Sequence, residues 1–203
     1  TCQEICRWAP TRAPSSDPSD WTINCFPVSD DSIAVTRTVL GGPEYSCRGG
    51  TQVVTLILLL RPEQFACYES NSIAVARTAL AYGYLRLPLS MSRQQLTTVE
   101  LPDQPIIEPP TPTDEDARDS LLDQLSDLVL EQRRVAVVGL SKPMDAVERL
   151  LTKINFEARR AFSYTTGLAP VVSRPFQAHF LKEVDFAARR TLDSQHIVCL
   201  DAL

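Results

Sequence analysis

Glycine is scarce in this chain, seven in 203 residues, and histidine scarcer, with two. A phosphate-cradling loop needs clustered glycines so that backbone N–H groups can approach an anion, and neither G-x-G-x-x-G nor G-x-x-x-x-G-K-[ST] occurs. With only His179 and His196 as imidazoles, a serine or cysteine nucleophile has few bases to draw on. The cysteines Cys2, Cys6, Cys25, Cys47, Cys67 and Cys199 are not paired at metal-ligand spacing. Cys2 and Cys6 would share a helix face, but both histidines lie near the other end of the chain. The cysteines read as reduced, small apolar core residues, and neither a metal nor a cofactor is expected.

Long apolar runs are missing too. The longest, VVTLILLL (53–60), has eight residues, against the ~20 that cross a bilayer, so no membrane association is expected. Basic charge is not in excess: 20 Lys and Arg stand against 25 Asp and Glu, net −5, without the electrostatic footprint of a nucleic-acid binder. The sequence opens at Thr1 with neither a basic stretch nor an apolar one, which gives no sign of a secretion signal. The expectation is a cytoplasmic chain whose true N-terminus lies further upstream.

What is present suits a soluble α/β or α+β protein: 44% hydrophobic and 22% charged residues, near ordinary globular values, on a chain long enough to bury a core without staples. After a short helical start and a proline-rich loop, WTINCFPV (21–28) and SIAVTRTV (32–39) are rich in β-branched and aromatic residues and read as a hairpin. TQVVTLILLLRP (51–62) is apolar throughout rather than alternating, which predicts a central strand covered on both faces. The stretch 62–85 predicts one helix, opened by Pro62 and Glu63, with Ile73, Ala76, Leu80 and Tyr84 on one face and Gly83 at its end.

PDQPIIEPPTPTD (102–114) carries five prolines in thirteen residues and marks a stiff linker between an N-terminal β-rich part (1–101) and a C-terminal βα part (115–203). Beyond it the pattern runs helix, strand, helix, strand, strand, helix, strand. Alternation of this kind predicts a mixed sheet with helices packed on it. Whether the two parts share one continuous core is left open by the pattern.

No residue set announces a reaction. RVAVVGLSKPMDAVERLL (134–151) has one glycine in its turn, Gly139, and although Lys142 could bring a cation to the helix start, Pro143 removes a donor that a phosphate would use. His196 and Cys199, three apart along a strand, would point to opposite faces. The acidic clusters SDD (29–31) and DEDARD (114–119) sit at a turn and a helix start, where acids are favoured for local reasons. YSCRGG (45–50), with Arg37 before it and Arg61 beyond the apolar strand, is the most unusual stretch. A guanidinium beside glycine turns holds a partner's loop or caps a carbonyl within the fold.

Several segments together, RTV (37–39) with YSCRGG (45–50), PEQFA (62–66), NSIAVARTAL (71–80), RVAVVG (134–139), FSYTTGL (162–168) and RPF (174–176), resemble the N-terminal domain of the bacterial GTPase-associated adaptor family. The resemblance covers roughly 20–190 and implies an interaction module that accompanies a GTPase or other NTPase in a bacterial conflict or signalling system. It carries no catalytic residues. This chain has LILLL where a typical member has a polar or aromatic residue in the strand, and strands expected ahead of the first helix are missing, as in a fragment. Two readings follow. In one, a non-catalytic adaptor meets its protein partner on an exposed surface around Arg37, Tyr45, Arg48, Gly49 and Gly50. In the other, a ligand-sensing or nucleotide-sensing domain, or a small hydrolase, has a pocket at the strand carboxyl ends near Gly139, Lys142, Ser163, Thr165, Thr166 and Gly167.

Overall fold

The structure is a computed structural model that describes residues 5, 22–43, 51–86, 97–105, 116–168, 170–171, 173–182, 184 and 186–202. It is an α/β fold built on one mixed seven-stranded sheet. β1 (Thr22–Ser29), β2 (Ser32–Pro43) and β3 (Thr51–Leu60) form an antiparallel meander. The first hairpin closes through Asp30 and Asp31, and β-branched residues line its strands because their stiff side chains fit a pleated surface. α1 (Pro62–Ala66), α2 (Ser72–Ala81) and α3 (Asp116–Leu130) follow. β4 (Val135–Val138), α4 (Pro143–Lys153), α5 (Phe156–Ala161), β5 (Tyr164–Thr165), β6 (Ala178–Leu181), α6 (Phe186–Ser194) and β7 (Val198–Asp201) complete the chain.

The strand order is β3-β2-β1-β5-β6-β4-β7, with β5, β6, β4 and β7 mutually parallel. β5 pairs antiparallel with β1 through Asn24 and Thr165, and Cys25 and Tyr164, so the segments on either side of the proline-rich stretch build a single sheet. One face, with Ile23, Cys25, Val35, Tyr164 and Phe180, lies in the main core together with Val75, Leu125 and Leu150 of α2, α3 and α4. Across this layer Arg77 of α2 forms a two-pronged ion pair with the buried Glu148 of α4. Burial pushes the Glu148 carboxyl above its ordinary range, against the pull of Arg77. The opposite face holds two smaller clusters, one of Ile5, Phe26, Ala34, Leu168 and Phe176, the other of Ala136, Leu181, Leu192 and Ile197.

Three expectations need correction. The apolar strand 51–60 is not central: β3 is the edge of the sheet, and Val53 and Leu59 are 39% and 42% exposed. A run without alternation states that neither face is polar, not that both are covered. The single helix expected over 62–85 breaks in two, since Glu69 and Ser70 take left-handed backbone (φ 52° and 55°) and Asn71 starts afresh as an N-cap, its side chain accepting from the amides of Ile73 and Ala74. Gly83 (φ 85°) does follow the end of α2. AFSYTTGL (161–168) yields only a two-residue strand, preceded by α5, whose Asn155 cap accepts from the Ala158 amide.

Candidate interaction site

β3 is where the fold leaves most unfinished. On one side it bonds to β2 along its whole length, from Ile33 with Leu60 to Pro43 with Thr51. On the other side, among the described residues, no strand pairs with it, and the backbone donors and acceptors of an unpaired edge can bond to another chain. Edge strands are ordinarily blunted by lysine, proline or a bulge that turns them away. TQVVTLILLL has neither a charge nor a proline in ten residues. Its one irregularity lies in the pairing with β2, between Leu40 and Gly42. The even positions Leu58 and Leu60 are buried in the main core, whereas Val53 and Leu59 face the other way and stay exposed.

Beside the carboxyl end of β3 lies a cleft of about 50 Å³ walled by Leu58, Leu60, Cys67, Tyr68, Val99 and Leu101. Segment 97–105 forms its far wall. The Tyr68 hydroxyl donates to the Pro102 carbonyl at 2.6 Å and the Tyr84 hydroxyl to the Glu100 carbonyl at 3.1 Å. The Cys67 thiol is exposed and donates to the Glu63 carbonyl at 3.3 Å.

The residues singled out from the sequence fall elsewhere. Tyr45, Arg48, Gly49 and Gly50 lie outside the described residues. Arg37 is not on an exposed surface: it is 7% exposed, and its guanidinium donates to the Leu85 carbonyl beyond α2. Burial, helped by repulsion from Arg86, lowers its pKa to about 10. It therefore acts as a carbonyl cap inside the fold.

Gly139 and Lys142 stand at the carboxyl end of β4. Gly139 has φ +89°, and a Cβ there would come within 2.9 Å of the Ala202 carbonyl oxygen, so only glycine fits this close approach to β7. Lys142 is exposed, 4.0 Å from Asp145, and precedes Pro143 at the start of α4 without capping it. Ser163, Thr165 and Thr166 are buried and occupied. Ser163 Oγ accepts from the Gln177 amide, Thr165 Oγ1 from the Leu168 amide, and Thr166 Oγ1 accepts from the Ile23 amide while donating to the Ile23 carbonyl. Gly167 (φ +118°) packs beside Thr22. The hydroxyls expected to line a pocket instead fasten β5 to β1 and β6, and β6 separates them from Gly139 and Lys142.

A feature that periodicity does not reveal is a polar row across the second face. Thr36, Asn24, Thr165 and His179 stand side by side on β2, β1, β5 and β6, all fully buried. The Asn24 amide donates to Thr36 Oγ1 at 2.8 Å, but among the described residues neither Asn24 Oδ1 nor either ring nitrogen of His179 has a hydrogen-bond partner at ordinary geometry. Phe176 meets the imidazole edge-on at 5.9 Å. Burial, reinforced by the guanidiniums of Arg134 and Arg174 and only slightly opposed by the Leu168 backbone, brings the His179 pKa down to about 4, so the ring is neutral at physiological pH.

No group of three or more His, Cys, Asp and Glu side chains that could hold a metal ion occurs among the described residues. No helix among them is long and apolar enough to cross a membrane. In comparisons with known proteins, the chain matches no protein-family profile, no curated protein and no solved structure.

Proposed function

We propose that the chain is a non-catalytic adaptor that docks an extended segment of a partner protein along the free edge of β3. The observation that carries this reading is the ten-residue uncharged edge strand with Val53 and Leu59 exposed. Left bare in a cell, such an edge would template aggregation, so a protein that works in solution keeps it covered. A partner strand satisfies the open backbone groups and the exposed side chains together, which a small ligand would not. The resemblance of the chain to the GTPase-associated adaptor family supplies the nature of the partner, a GTPase or other NTPase module of a bacterial conflict or signalling system, met in the cytoplasm.

The test is affinity capture from the native cells with the wild-type chain and with Val53→Lys/Leu59→Lys, the bound proteins being identified by mass spectrometry. Both positions are exposed, so the variant should unfold within about 1 kcal/mol of wild type. The expected result is an NTPase recovered with wild type and lost with the variant. Equal capture by both chains, or no NTPase with either, refutes the reading.

A further inference from the structure

Two tyrosines grip segment 97–105 in an unusual way. Tyr68 is buried in the turn after α1, and Tyr84 follows Gly83 with its ring stacked on Tyr82 at 6.1 Å and 21°. Their hydroxyls reach the carbonyls of Pro102 and Glu100, two residues apart on a segment that is neither helix nor strand. Val99 and Leu101 pack on the main core with the spacing of alternate residues, while Glu100 between them is exposed. Among the described residues the segment makes no backbone–backbone hydrogen bond. It is held through carbonyls that every peptide has, two modest apolar side chains and one proline.

Tyrosine hydroxyls donating to carbonyls of an extended, proline-containing strand are the chemistry by which aromatic grooves hold such peptides. The fit of the present occupant is incomplete. The cleft of about 50 Å³ between it and the end of β3 could admit a few water molecules. The geometry points to an exchangeable groove: Tyr68, Tyr84 and the carboxyl end of β3 accept an extended partner segment with apolar residues at alternate positions followed by proline, and 97–105 occupies that groove in cis until the partner displaces it. The identity of the partner rests on the adaptor reading; the groove does not. An occupant in cis lowers the apparent affinity for any competitor by the fraction of time the groove is open. Binding of a partner in this groove would thus compete with a piece of the same chain.

The probe is a labelled synthetic peptide with the sequence of 97–105, TTVELPDQP, titrated into the whole chain. Val99→Ser/Leu101→Ser loosens the occupant in cis and should bind the peptide at least about tenfold more tightly than wild type. Adding Tyr68→Phe to the loosened chain should weaken binding about fivefold, the loss of one hydrogen bond. A folded loosened chain that binds no more tightly than wild type overturns the proposal. Should it fail to fold, the wild-type chain decides. Amide shifts on adding excess peptide that centre on Leu58 to Leu60, α1, Tyr68 and Tyr84 support the groove, and their absence overturns it. Peptide binding without NTPase capture would keep the groove and remove the partner; capture without peptide binding would do the reverse.

Discussion

Acid should weaken this protein through one side chain, and the size of the effect follows from where His179 sits. The imidazole is fully buried on β6, with Thr165 on one neighbouring strand, Ala136 on the other and Phe176 against its ring. Burial, together with the Arg134 and Arg174 charges acting on it, lowers its pKa from 6.5 to about 4. Between those values the unfolded chain binds a proton that the folded chain refuses, so stability declines as pH falls and levels off once both states are protonated. The slope is about 1.4 kcal/mol per pH unit, a total of about 3 kcal/mol over the window.

His179→Gln removes the titration but keeps a polar group. Urea unfolding of both chains at a series of pH values should show the wild type losing about 2 kcal/mol more than the variant between neutrality and about pH 5. Glu148 works in the opposite sense, because a raised carboxyl pKa adds stability as pH falls, but it is common to both chains and cancels in the difference. Parallel pH profiles for the two chains, or a His179 resonance titrating at its ordinary value, would refute the reasoning.

Glycine positions offer a matched pair. Gly139→Ala should destabilise by about 2 to 4 kcal/mol, because left-handed backbone and a collision with the Ala202 carbonyl act together. Gly83→Ala has similar backbone, φ +85°, and nothing within 4 Å of the added carbon, so about 1 kcal/mol is expected from the backbone alone. Thermal unfolding of the two separates contact from conformation, and equal shifts would contradict the close approach. Arg37→Ala should lower stability by about 2 kcal/mol through the lost bond to the Leu85 carbonyl; a change under about 0.5 kcal/mol would mean that solvent replaces it without loss.

The fold class was legible because its signals are local. Apolar β-branched runs such as SIAVTRTV and amphipathic stretches such as 143–153 need no partner to be recognised. Legibility ended where position in the sheet mattered. Nothing in TQVVTLILLL distinguishes an edge from a centre, because pairing order depends on β5 and β6 arriving more than a hundred residues later. The division of 62–85 carried a signal that periodicity overrode: Ser70 and Asn71 are turn and cap residues in the midst of a helical pattern. The site residues were less readable still. Ser163, Thr165 and Thr166 look like the lining of a pocket until the bonds to Ile23, Gln177 and Leu168 are seen, and the polar row of Asn24, Thr165 and His179 exists only across strands.

The contact between β1 and β5 also orders events during synthesis. Thr166 bonds to Ile23 across 143 residues of sequence, so when the meander has left the ribosome it has two open edges, β3 on one side and β1 on the other. Only the first is permanent in the described fold. The second waits until residue 165 emerges, and at elongation speeds of about 5–20 residues per second that is on the order of ten seconds. β1 is suited to the wait as β3 is not. Pro27 removes one donor from its length, whereas β3 has no proline.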